Sequence, residues 1–201
     1  MNNTISNNVA FGAKLTSNLG RRPRIIGVMK KEFAKKTENF EIPMNMFSGG
    51  QEYPGAVFFE LIDKVPTSFC ITNANERLFL NKKSLTMPEL NNATDFLVKV
   101  YKILREQKVF TQSTEGVNAN IFSAKKAKYA NERLLAKAEA KKNANLIKTY
   151  QTLVKSNGMR IETLNKEKEK AKDAYLSKMQ FIAGEDKQLQ EFVKCERKCV
   201  D

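Results

Sequence analysis

The spacing of apolar and polar positions divides this chain into stretches of different period. Residues 1–20, MNNTISNNVAFGAKLTSNLG, carry only scattered apolar side chains among Asn, Ser and Thr. That is too little burial to offset the entropy of ordering them, so they read as a flexible tail. Behind Pro23, whose fixed φ suits a first helical turn, Ile25, Ile26, Met29, Phe33 and Phe40 recur at helical spacing and predict a short amphipathic helix ending near Asn39. From Phe40 the period becomes two, with Phe40, Ile42, Met44 and Met46 on one side of a strand. Pro43 assigns that strand to a sheet edge, because proline has no N–H for a ladder. Residues 56–63 (AVFFELID) and 67–72 (TSFCIT) read as an antiparallel pair joined across Lys64-Val65-Pro66, with Leu78, Phe79 and Leu80 as a candidate further strand.

Helical period returns at Thr86-Met87-Pro88-Glu89, the spacing of a capping box, where a Thr hydroxyl and a Glu carboxylate satisfy amide donors at a helix start. Leu90, Ala93, Phe96, Leu97, Val100, Tyr101 and Leu104 then form a continuous apolar strip, which predicts a helix covering the sheet. Residues 111–120, TQSTEGVNAN, lose the period and gather turn-forming side chains, so 111–123 reads as a linker. Beyond it there is no proline, and the glycines are Gly158 and Gly184. Helices are therefore expected over about 124–156, 159–183 and 187–199, the first two folded into a hairpin at Ser156-Asn157-Gly158. Neither long helix reads as a sustained heptad zipper. The fold class that results is α+β: a small antiparallel sheet flanked by helices, followed by a C-terminal α-helical hairpin. Its organisation is a tail (1–20), an α+β module (21–110), a linker (111–123) and a basic helical hairpin with a short terminal helix (124–201).

Charge changes this picture, because the net +13 of the 201 residues is unevenly placed. Residues 1–40 and 111–157 each carry an excess of +6, while 41–110 are neutral. Wound at ~100° per residue, Lys126, Arg133, Lys137, Lys141, Lys148 and Lys155 fall within about 40° of one line, a basic stripe on one helix. Arg21, Arg22 and Arg24 offer a second basic cluster. Two readings compete for the stripe. In one it tracks the phosphates of a nucleic acid, or another acidic partner, with little base readout because it holds one Arg and no interleaved aromatic. In the other it pairs across the hairpin with Glu162, Glu169 and Asp173, which share a line on the next helix.

Catalytic chemistry is poorly supplied. The chain has no histidine, which excludes Ser-His-Asp and Cys-His sites and imidazole metal ligands. No phosphate-loop, dinucleotide or EF-hand spacing occurs, and Ser48-Gly49-Gly50-Gln51 reads as turn chemistry. Cys195 and Cys199, four apart, would supply half of a thiolate metal site. Cys70, in TSFCIT, reads as core packing, as do Phe58, Phe59, Phe69 and Phe79. The acids Glu52, Glu60, Asp63 and Glu76 give no spacing evidence of a convergent pair. No catalytic residue, cofactor or metal ligand set is therefore assigned. The expectation is a non-enzymatic binding or adaptor protein, with polyanion binding through the basic face. The alternative is a protein-interaction module whose hairpin mediates homo-oligomerisation or partner docking. Three cysteines are too few for a disulfide framework, and no segment approaches the roughly 20 apolar residues of a membrane span, so a cytoplasmic protein with no membrane span is expected.

Overall fold

The computed structural model describes residues 13–19, 23–38 and 40–200, and these divide into two units. The first comprises residues up to 108 together with 179–199; the second comprises Val109–Lys178.

The first unit holds a four-stranded sheet in the order β1 (Leu15–Ser17), β2 (Met44–Ser48), β3 (Val57–Leu61) and β4 (Phe69–Ile71). β2, β3 and β4 are antiparallel neighbours, with Met46 opposite Phe59 and Phe59 opposite Phe69. Two expectations are corrected here. β1 pairs parallel to β2, so the sheet is mixed rather than antiparallel, and part of the expected tail is strand; residues 1–12 lie outside the described residues. β2 is consequently central and not an edge strand. Pro43 is tolerated because it stands just before the ladder, where its carbonyl accepts the Ile62 N–H at 2.8 Å.

Alternation sorts the sheet's two faces. Leu15, Met44, Met46, Val57, Phe59, Leu61, Phe69 and Ile71 are buried. Helix α1 (Pro23–Lys36) contributes Ile25, Ile26, Met29 and Phe33 to the same core. Leu78 to Leu80 do not form a strand. They follow the one-turn helix α2 (Ala74–Arg77), with Leu78 buried and Phe79 in the left-handed region at φ 52°. The capping box forms as expected: the Thr86 N–H donates to Glu89 Oε2 at 2.9 Å, and helix α3 (Met87–Ala140) begins there. Tyr101 on α3 meets Phe33 edge-on at 5.7 Å and donates its hydroxyl to the Ile42 carbonyl at 2.9 Å. After Gly184, at φ 54°, ends helix α4 (Ala144–Ala183), helix α5 (Lys187–Val200) brings Phe192 within 4.5 Å of Phe69. Asp186 joins two elements, accepting from the Leu189 N–H at the start of α5 and pairing with Arg77, whose guanidinium lies over Phe96.

The second unit is an antiparallel helical hairpin made of the later part of α3 and most of α4. Residues 111–123 are helix and not a linker, which corrects the reading from their Thr, Ser, Gly and Asn content. The hydroxyls of Ser113 and Thr114 are satisfied inside the helix, both donating to the Phe110 carbonyl at 2.9 and 2.8 Å, so they do not compete with it. The hairpin turns at residues 141–143 and not at 156–158. Lys142 takes φ 50°, its N–H bonds the Glu139 carbonyl and the Asn143 N–H bonds the Ala138 carbonyl, a Schellman closure built without glycine. Asn143 then caps α4 by accepting from the Leu146 N–H at 3.2 Å. Ser156 to Gly158 continue within α4, where Asn157 Nδ2 donates to the Leu153 carbonyl at 3.0 Å.

A heptad seam emerges once these corrections are made. The less exposed positions of α3 beyond Lys108 are Phe110, Thr114, Val117, Ile121, Ala124, Lys128, Asn131, Leu135 and Ala138, spaced alternately four and three. On α4 Ile147, Tyr150, Val154, Asn157, Ile161, Leu164, Lys168, Ala171 and Tyr175 follow the same rule, with Gly158, Lys172 and Leu176 less exposed beside them. That is the repeat of a coiled coil, and Phe110 stacks flat on Tyr175 at 4.5 Å and 7° to fix its register. The zipper was illegible as such because Thr114, Lys128, Asn131, Asn157 and Lys168 occupy seam positions.

Candidate functional site

The turn splits the predicted stripe between two helices. Lys126, Arg133 and Lys137 lie on α3, Lys141 in the turn, and Lys148 and Lys155 on α4. The single 124–155 helix that would align all six does not exist, which corrects the stripe's geometry. Its members are nevertheless all exposed, and among the described residues none is in an ion pair. The expected pairing with Glu162, Glu169 and Asp173 does not form. Those acids share α4 with Lys148 and Lys155, and Glu169 instead meets Lys172 at 3.7 Å.

The hairpin's charge is segregated along its length. Residues 121–160, the half that includes the turn, hold ten Lys or Arg against Glu132 and Glu139 alone. The remainder of the unit, 109–120 and 161–178, balances five cations against five acids. Because the helices are antiparallel and of equal rise, Phe110 opposite Tyr175 places Lys137 and Lys148 at the same level, next to Lys141 and Lys142. Among the described residues only Lys128 of these ten engages a carboxylate, Glu132 at 3.8 Å.

Two aromatic side chains that the sequence reading missed lie on this surface. Phe122 and Tyr129 are 71% and 64% exposed. At ~100° per residue Phe122, Lys126, Tyr129, Arg133 and Lys137 fall within about 40° of one line, on the side of α3 opposite its seam. Phe122 was hidden by assigning 111–123 to a linker; the i, i+4, i+7, i+11 alternation of ring and cation was the available signal.

No known protein family, curated protein or solved structure matches the chain.

The other sequence candidates separate in space. Arg24 is exposed on α1 in the first unit, and Arg21 and Arg22 lie outside the described residues. Asp63 pairs with Lys108, Glu60 accepts from Asn45 Nδ2 at 3.0 Å, and Glu52 and Glu76 are exposed elsewhere on the first unit. The Lys108 ammonium and the Lys64 amide hold the Asp63 carboxyl below its usual range, which suits an ion pair and not a proton donor. Cys70 is exposed and not core, on the sheet face that also carries Phe47 and Phe58, stacked at 5.7 Å, and Tyr53 edge-on to Phe58. Partial desolvation raises its thiol pKa, the opposite of what a nucleophile needs. Phe59 and Phe69 are core as expected, whereas Phe58 is not. Cys195 is free and exposed; the side chain of Cys199 is outside the described residues. Among the described residues no three or more Cys, Asp or Glu gather where they would hold a metal ion.

A cleft of about 520 Å³ beside the β2–β3 loop is lined by Asn18, Ser48, Gly50, Gln51, Gly55 and Asn75 among others, with no charged side chain among the described residues. Ser48 Oγ there accepts from the Gly50 N–H at 3.2 Å, as turn chemistry requires. Among the described residues, no helix is long and apolar enough to cross a membrane.

Proposed function

We propose that this chain is a non-enzymatic binding protein that engages nucleic acid, with little sequence preference, through the turn-containing half of its helical hairpin. One observation carries the reading. Nine of the ten cations in residues 121–160 are exposed and free of ion pairs among the described residues, so their field is spent on solvent or on an external polyanion. Lysines predominate and offer point charges rather than bidentate base contacts, which suits phosphate tracking. A cytoplasmic setting accompanies this reading.

The test is salt-dependent binding. Affinity for a mixed-sequence nucleic acid should fall steeply with salt, with a slope of about −0.9 per duplex phosphate neutralised. Lys137→Glu with Lys141→Glu should reduce both affinity and slope; unchanged values would end the proposal.

A second reading rests on a different observation. Leu134, Leu146 and Leu153 each stay about 40% exposed, and each immediately precedes a seam residue. In an antiparallel pair those positions line the same flank, which would suit a homo-oligomer or docked partner. Light scattering across salt concentrations separates the two, because an apolar flank would hold a defined oligomer at high salt.

A further inference from the structure

We infer that the nucleic acid this face selects is single-stranded, with Phe122 and Tyr129 acting as stacking platforms between the cations. The inference rests on the polyanion reading above and narrows it to a ligand class.

The two rings have no structural employment. They lie opposite the heptad seam, are the most exposed large apolar side chains of their unit, and among the described residues make no ring or cation contact. Isolated exposed apolar residues are ordinary. What needs explaining is their placement: each ring is followed one turn later by a cation, Phe122 by Lys126 and Tyr129 by Arg133, and the line ends at Lys137. Between Phe122 and Lys137 no acid enters this line, Glu132 lying on the helix's flank; Glu115, one heptad before Phe122, stands on the line and bounds it. Alternating rings and cations match the alternating bases and phosphates of a strand whose bases are free to turn outward.

Access to the base faces decides between strand and duplex. Seven residues at 1.5 Å put the rings about 10.5 Å apart along α3, about three base steps of a stacked strand at 3.4 Å each. In a duplex the base faces are covered by their neighbours, so neither ring can stack and only the cations contribute. A single strand can unstack and place a base on each ring, each stack being worth about 1–3 kcal/mol. Lipid is a poorer fit, since two rings among three cations and no Trp give little apolar area for insertion.

The experiment measures anisotropy of a labelled 20-nucleotide oligo(dT) and of a 20-base-pair mixed-sequence duplex, using the full chain. Oligo(dT) should bind at least tenfold more tightly. Phe122→Ala and Tyr129→Ala should each weaken oligo(dT) binding by about 5- to 150-fold and leave duplex binding unchanged. Tyr129→Phe, which keeps the ring, should retain oligo(dT) affinity, while Lys126→Glu with Arg133→Glu should weaken both ligands. Circular dichroism of the exposed-site variants checks that the fold is kept. Equal affinities with no effect of the alanine variants would overturn the single-strand inference and leave the polyanion reading standing. Binding to neither ligand would overturn both.

Discussion

At the scale of single residues, two positions carry backbone conformations at odds with their residue types. Lys142 sits at φ 50°, a region that costs an L-residue roughly 1–2 kcal/mol and glycine almost nothing. Lys142→Gly should therefore raise stability by about 0.5–1 kcal/mol in urea unfolding, part of the gain being offset by glycine's extra freedom in the unfolded chain. Gly158 presents the reverse case. It lies inside α4 with open space where a Cβ would stand, so Gly158→Ala should raise the melting temperature through a gain of about 0.5–1 kcal/mol. A fall would mean that a methyl group at this point of α4 is not accommodated. The same two positions explain why the turn was misread. Ser-Asn-Gly is the stronger turn signal on residue chemistry alone, and what overrides it is the seam, which needs Asn157 and Ile161 on the buried side of one continuous helix.

Among the elements, those with a strong local signal were legible. The capping box, the apolar strip of α3, the alternation of β3 and β4, and the break at Gly184 each encode their structure within a few residues. β1 was not legible, because Leu15 to Ser17 become strand only by pairing with Met44 to Met46 far along the chain. The seam was masked by polar residues at apolar positions, and the candidate face was half legible: its cations were identified, its rings were not, and one stripe became two. The capping box also makes a prediction for its element. The Lys82 ammonium and then the Thr86 amide hold the Glu89 carboxyl at about 2, below its ordinary 4.5. An ionised group with a depressed folded-state pKa stabilises above its unfolded pKa and loses that contribution as pH falls. Wild type should therefore exceed Glu89→Gln in unfolding free energy at pH 6, and the two should converge as pH falls from about 4.5 toward 2. A gap independent of pH would show that the charge plays no part.

For the whole molecule, the net charge of +13 is the property most exposed to testing. Eight of those charges belong to residues 121–160 alone, where like charges repel and all the cations but Lys128 at the seam are exposed. Lys137→Glu with Lys141→Glu should leave the unfolding free energy within about 0.5 kcal/mol of wild type, or raise it, while removing retention on a polyanion column. Loss of stability together with loss of retention would instead mean that these cations hold the fold. Binding and folding are thus expected to be separable by substitution, as in a surface that was selected for its ligand.

The three-residue turn also limits how the hairpin can change length. Inserting one residue into α3 between Phe110 and Ala138 would rotate all that follows by about 100° and turn the seam residues beyond it onto the helix's flank. An insertion on α3 unmatched on α4 would break the equal count that brings Phe110 to Tyr175. Descendants of this gene should therefore lengthen or shorten the hairpin by whole heptads, taken in pairs, one from each helix.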